Sequence, residues 1–245
     1  MEIPLIKMED IHKWFDRTYA LRGVNFEIYK GEVVGLIGSN GAGKSTLIKI
    51  LSGVFPPSKG RIFYHDEEIE IKTPKDAIDL GIETVHQDYS LVGERNVAQN
   101  IFLGRELVRS AGFIKVLDTQ KMEEVASQKV RELGLNISSP TQEVRFLSGG
   151  ERQGIAIARA MLFKATLVIL DEPTTALSVK GCRQVLDFIS QLKKNDIACI
   201  FIDHNIGRIF PLADRFVVMS HGQIIENVLR EDTSVEEIED LLVSC

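Results

Sequence analysis

Eight residues, Gly38-Ser39-Asn40-Gly41-Ala42-Gly43-Lys44-Ser45, match the spacing GxxxxGK[ST]. Glycines admit backbone conformations closed to other residues, so successive N–H groups in such a loop can turn inward around phosphate oxygens. A helix starting near Gly43 adds the positive end of its dipole. Lys44 supplies a mobile charge for β- and γ-phosphates, and Ser45 a hydroxyl for Mg²⁺. The competing reading is a flexible glycine-rich turn with a stray lysine. An apolar strand-like run before the loop and a helical period after it favour the phosphate-binding reading.

Two further groups bear on that chemistry. Asp171 and Glu172 stand at the end of the apolar run TLVIL (Thr166–Leu170). Ligand sites of parallel sheets lie at the carboxyl ends of the strands, which puts both carboxylates on the phosphate loop's side. Asp171 would hold Mg²⁺ through water, and Glu172 would act as general base on the attacking water. His204, at the end of the next run, IACIFID, lies on the same edge and is a candidate γ-phosphate contact. The other four histidines have no such placement and are read as surface or core residues. The second group is LSGGERQ (Leu147–Gln153), where Ser148 and Glu151 have capping-box spacing ahead of a helical run. Ser148, Gly149, Gly150 and a helix N-terminus make a second anion site. One nucleotide needs one such cradle. Two per chain imply that each nucleotide is closed upon by a partner chain, giving two nucleotides in a head-to-tail dimer.

These residues need a sheet and helices to hold them. FEIY (Phe26–Tyr29) and VVGLI (Val33–Ile37) read as strands separated by Lys30-Gly31. Leu47, Ile50, Leu51 and Val54 recur at helical spacing until Gly53 and Pro56-Pro57 end the helix, and RIFYH reads as another strand. KMEEVASQKVRELGL has an amphipathic helical period stopped by Gly134. Two continuous apolar strands, TLVIL and IACIFI, are joined by a helix carrying Val185, Leu186, Ile189 and Leu192, as in a parallel sheet buried on both faces. FVVM and QIIE flank Ser220-His221-Gly222 as a hairpin, and Thr233 or Ser234 caps a last helix with Ile238, Leu241 and Leu242.

Composition narrows the class. The 245 residues hold 29 basic and 35 acidic side chains, a net charge of −6, which argues against general nucleic-acid binding. No apolar run approaches the roughly 18 residues of a membrane span. The start, MEIPLIKMED, has acidic residues where a signal peptide would be basic. Three cysteines without CxxC spacing point to neither a disulfide frame nor a zinc site.

GSNGAGKST, the glutamine in VHQD, LSGGERQ, LVILDE and the histidine after IFID, in that order, resemble the nucleotide-binding subunit of an ATP-binding cassette (ABC) transporter across nearly the whole chain. The resemblance implies an α/β P-loop NTPase fold with a mixed central sheet, an antiparallel β subdomain and a helical subdomain. It implies one cassette over residues 1–245, with 1–87 and 165–245 forming the catalytic lobe and 88–164 a helical lobe that carries the signature and docks on membrane subunits. ATP contacts would come from Ser39, Asn40, Gly41, Ala42, Gly43, Lys44, Ser45 and Thr46, and from Ser148, Gly149 and Gly150 of the partner. Gln87 would touch Mg²⁺ and water and link the site to the membrane partner; with Glu172 and His204 it completes the catalytic set, and with Ser45 and Asp171 the metal set. Phe15, in HKWF, matches the aromatic that stacks on adenine, with Trp14 its rival. More narrowly, GIETVHQDYSLV, VAQNIFLGRE and DEPTTALS resemble the ATPases of bacterial simple-sugar importers of the ribose, xylose and fructose type. Expected partners are transmembrane permease subunits, a second nucleotide-binding subunit and, indirectly, a periplasmic or extracellular solute-binding protein; no nucleic acid is expected. The implied location is the cytoplasmic face of the membrane. Two departures stand out: Ser178 where the family at large has Asp, and Asp203 before His204 where serine is common. Three alternatives remain. They are an ABC ATPase for export or another substrate, a soluble cassette ATPase, and a P-loop kinase, which would leave LSGGERQ without a role.

Overall fold

Strand β3 (Val33–Gly38) is buried at every position, as a strand covered on both faces must be. It lies inside a six-stranded sheet of order β12-β11-β3-β10-β9-β6. The other strands are β6 (Ile82–Val85), β9 (Leu167–Asp171), β10 (Ala198–Ile202), β11 (Arg215–Ser220) and β12 (Gln223–Leu229). β11, β3, β10 and β9 run parallel, and the edge strand β12 returns antiparallel to β11. Burial follows position. β10 and β11 are buried throughout, whereas the edge strand β12 alternates between exposed and half-buried residues. The sheet is thus mixed. These coordinates are a computed structural model, which describes residues 3–85, 91–174, 177–203 and 205–243.

Contacts divide the chain into two units. The first comprises residues 1–84, 165–172 and 189–245, the second residues 85–164 and 173–188. Besides the mixed sheet, the first unit holds an antiparallel sheet of order β2-β1-β4-β5, formed by β1 (Ile6–Phe15), β2 (Thr18–Ile28), β4 (Lys59–Tyr64) and β5 (Glu67–Ile69). Helices α1 (Lys44–Leu51), α2 (Pro74–Asp79), α7 (Ile206–Ile209) and α8 (Val235–Val243) belong to it. Leu47, Ile48, Ile50 and Leu51 of α1 join Ile6, Met8 and Phe26 of the antiparallel sheet and Leu167 and Ile200 of the mixed sheet in one apolar core. At about 1.5–3 kcal/mol per buried aliphatic side chain, this cluster holds the loop before α1 to a rigid base.

Strand β1 was not foreseen. Register shifts between Met8 and Ile11, Ile11 and His12, and Lys13 and Trp14 interrupt its alternation, and Asp10 has φ 50°. β2 likewise begins at Thr18, eight residues before the run FEIY. The final elements follow the sequence closely. The turn His221-Gly222 joins β11 to β12 with φ 46° and 80°, as a two-residue hairpin requires. Ser234 accepts from the Glu237 amide at the start of α8.

The second unit contains α3 (Val97–Ile101), α4 (Thr119–Glu132), α5 (Gly149–Leu162) and the first part of α6 (Val179–Lys194). Helix α4 ends before Gly134, whose φ of 64° is the usual left-handed stop. Residues 173–188 group with this unit through close packing. A Cβ added to Gly150 of α5 would meet Gln184 Oε1 at 2.5 Å, and one added to Gly154 would meet Leu135 at 2.3 Å and Phe188 at 3.0 Å. The unit is not wholly helical: β7 (Val108–Ala111) and β8 (Ile114–Leu117) form a hairpin that is exposed at nearly every position.

Candidate active site

The phosphate loop begins where β3 meets β11. A Cβ at Gly38 would lie 2.3 Å from Met219 O, so any side chain there pushes the two strands apart. The loop is then clamped from the neighbouring hairpin. Ala42 N donates to Ser39 O at 3.1 Å, Gly222 N donates to Ala42 O at 2.9 Å, and Arg22 N donates to Gly222 O at 2.8 Å. Gly43, with φ 105°, precedes α1, where a Cβ would meet Leu21 Cδ2 at 2.9 Å. No side chain caps α1 and no acidic residue occupies its first turn. The amides that begin the helix therefore face the loop without a built-in anion, as a phosphate site needs. Gly38→Ala is expected to destabilise the protein by about 1–3 kcal/mol through overpacking. The measurement is the urea midpoint, which would stay unchanged if the Gly38 contact were soft.

Lys44 is buried, and its Nζ donates to Gly38 O at 2.6 Å and Ser39 O at 3.0 Å. Burial pushes its pKa below the usual lysine value, and the charges of Glu172 and Asp171 act against that shift. A lowered lysine pKa means that holding the cation costs stability at neutral pH. That cost fades as pH rises through the folded pKa toward the ordinary value of 10.5.

Both carboxylates come from the end of β9. Asp171 is its last residue, and Glu172 follows with φ 49°, an uncommon conformation for a non-glycine residue that is held by donation from Glu172 N to Ile202 O at 3.0 Å. A cavity of about 490 Å³ contains them both, together with Asn40, Gly41, Ala42, Gly43, Lys44, Ser45, Thr46 and Phe15. Ser39 does not line it; its carbonyl holds Lys44 instead. That volume suits a ligand the size of a nucleotide.

The hairpin of β1 and β2 supplies the rest of the wall. Phe15 lines the cavity, is 40% exposed, and packs edge-on against Phe55 with centroids 5.1 Å apart. Trp14 is not a lining residue. It stacks on Tyr19 at 4.7 Å and His12 at 5.4 Å. Sequence reasoning missed Thr18, Tyr19, Ala20 and Arg22, which also line the cavity, because β1 and the start of β2 were not recognised, and it missed Ile202, the last residue of the recognised strand β10. It also missed His221 and Gly222. His221 is exposed, as its reading as a surface or core residue allows, and the β11–β12 turn places it on the cavity wall. Gln87 and His204 lie outside the described residues.

In the second unit, Ser148 is the N-cap of α5. It accepts from Glu151 N at 3.3 Å, and Glu151 Oε2 accepts from Ser148 N at 2.8 Å, the reciprocal pair expected from the spacing. Ser148 is exposed and Gly150 buried, and the acidic Glu151 stands in the first turn of this helix. Ser178 has a capping role, since Gly181 N donates to Ser178 Oγ at 3.2 Å. Asp203 is buried, and its Oδ1 accepts from Asn205 N at 3.0 Å across residue 204.

The chain is similar to known proteins in sequence and in fold. A family model described as ABC transporter matches residues 21–175. The xylose/arabinose import ATP-binding protein XylG of Sulfolobus acidocaldarius is 42% identical over 240 residues, covering 98% of this chain and 94% of its own. The fructose import ATP-binding protein FrcA of Rhizobium meliloti is 40% identical over 225 residues, covering 90% and 86%. Among solved structures, a nucleotide-free ATP-binding cassette from an ABC transporter superposes with TM-score 0.81 at 25% identity, covering 98% of this chain and 95% of that one. With its phosphate loop, its paired carboxylates and its capped signature helix on these elements, the chain belongs to the ABC transporter family as an ATP-binding cassette.

Proposed function

We propose that this chain is the ATP-hydrolysing subunit of an importer that drives sugar uptake through separate permease subunits. The observation that carries the reading is one cavity holding Lys44, Ser45, Asp171 and Glu172 around an uncapped helix N-terminus. The sugar assignment rests on the relatives named for xylose/arabinose and fructose import.

In the cavity, the amides from Gly41 to Thr46 bind and orient the phosphates, and Lys44 neutralises charge at the β- and γ-phosphates. Glu172 accepts a proton from the attacking water, with Gln87 and His204 assigned to the same reaction by the family resemblance. Phe15 takes the adenine ring. Mg²⁺ fits the donors present. Ser45 and Asp171 offer one hydroxyl and one carboxylate, both hard oxygens, and no group of three or more His, Cys, Asp or Glu among the described residues would cage a metal alone. That is the donor set of an ion completed by phosphate and water. Ser45, Asp171 and Gln87 would hold it, and it would supply charge neutralisation along the phosphates.

Closure needs a second cassette, whose Ser148, Gly149 and Gly150 meet the γ-phosphate. ATP favours the closed dimer, and hydrolysis releases it, so the affinity difference between open and closed states moves the permease. The chain then works peripherally at the cytoplasmic face, fed indirectly by a solute-binding protein. No helix among the described residues is long and apolar enough to cross a membrane.

Ser148→Arg is expected to abolish ATP-dependent dimerisation while ATP binding to the monomer stays within about twofold of wild type. Loss of the N-cap costs about 1 kcal/mol on its own, read as a lowered melting temperature. Monomer binding lost to the same degree would place Ser148 in its own chain's site. The function itself is tested by isolating the chain with its membrane partners from native membranes. Recovery of the chain with a multi-span permease, in a complex whose ATPase activity rises with a sugar-loaded binding protein, supports the reading; stimulation by another substrate class alone contradicts it.

A further inference from the structure

The cavity wall on the side of the β1–β2 hairpin is more elaborate than one stacking aromatic requires. Tyr19 lines the cavity with Phe15, and its ring is held from several sides. Trp14, its cross-strand partner, stacks on it at 4.7 Å with planes 13° apart. The Arg22 guanidinium, also a lining group, lies 5.3 Å from the Tyr19 ring centre. A short hydrogen bond joins the Tyr19 hydroxyl to His12 Nδ1. His12 Nε2 is in turn 2.8 Å from Asp10 Oδ1, and Asp10 pairs with Lys59 at 3.1 Å. A half-exposed tyrosine on a hairpin tip ordinarily keeps rotamer freedom. This one is restrained before any ligand arrives by the stacked Trp14, the Arg22 guanidinium and the hydrogen bond to His12.

We propose that Tyr19 is a second ring contact for the nucleoside portion of a bound nucleoside triphosphate, and that His12 is the positioning residue that holds it. The proposal rests on the cavity being a nucleotide site, with the phosphates fixed at the α1 N-terminus. Phe15 is exposed, packing edge-on against Phe55 beneath the Lys13 ammonium. Tyr19 supplies the rigid surface that Phe15 lacks, and Trp14, a rival of Phe15 from the sequence, serves as its backing layer. Aromatic contacts of this kind change affinity by about three- to tenfold.

The test compares Mg²⁺–ATP with Mg²⁺–tripolyphosphate, which has no nucleoside, by calorimetric titration of the full chain. Tyr19→Ala should weaken ATP by about three- to tenfold and leave tripolyphosphate unchanged. Tyr19→Phe keeps the ring and should stay nearer to wild type than Tyr19→Ala. His12→Ala should weaken ATP in the wild-type background and add nothing in the Tyr19→Phe background, where the hydroxyl it holds is gone. Trp14, the single tryptophan of the chain, should change its emission with ATP and not with tripolyphosphate. Equal loss of both ligands in Tyr19→Ala, or no loss of ATP, would overturn the contact. An equal His12→Ala effect in both backgrounds would overturn the positioning role. Failure of the nucleotide-site reading looks different: wild-type protein would bind neither ligand, or Lys44→Ala would bind ATP normally.

Discussion

Glu172→Gln is expected to lower ATP turnover by about 10²–10⁴-fold, the usual contribution of a general base. Glutamine keeps the shape and hydrogen-bonding reach of the side chain, and it makes no new demand on the left-handed backbone at this position. It cannot take a proton at neutral pH. Binding should survive, because Lys44, Ser45, Asp171 and the loop amides are untouched and line the same cavity. Loss of a carboxylate beside the γ-phosphate also removes like-charge repulsion. ATP and Mg²⁺ should therefore hold the variant as a dimer of doubled mass in size exclusion at high protein concentration, and ADP should not. Hydrolysis at the wild-type rate would remove Glu172 from the mechanism.

Lys44→Ala is expected to weaken ATP binding by about 10²-fold or more, since a charge-assisted contact at a buried cation contributes about 3 kcal/mol. The structure makes the loss worse than deletion of one contact. Nζ donates to Gly38 O and Ser39 O, so its removal strips a donor from two loop carbonyls. It also leaves Asp171 and Glu172, whose charges act on Lys44, facing the incoming phosphates without a compensating cation. Calorimetry reads the outcome directly. ATP affinity within a few-fold of wild type would contradict the phosphate-loop assignment.

The parts of the site legible from residue types were those with a strong local cause. Gly38 to Thr46 run from the end of an apolar strand into a helical period, and β9 and β10 are apolar runs followed at once by acidic residues, so their carboxyl ends could be placed without coordinates. The Ser148–Glu151 box was equally local, because a cap is specified by four residues. The cavity wall around Tyr19 was not. β1 carries Lys7, Glu9, Asp10, His12 and Lys13, and its register shifts break the period of two that identifies a strand. His221 escaped for a different reason: a two-residue turn gives no hint of which loop packs against it, and that information sits in long-range bonds such as Gly222 N to Ala42 O. The β7–β8 hairpin left no signal because nearly all its residues are exposed, so no apolar period is imposed on them.

The most direct measurement is ATP-driven accumulation of labelled sugar in proteoliposomes that contain this chain, its permease and its binding protein. The account predicts uptake that requires internal Mg²⁺–ATP and disappears when the chain carries Lys44→Ala or Glu172→Gln. Uptake that continues undiminished with either substitution would contradict it.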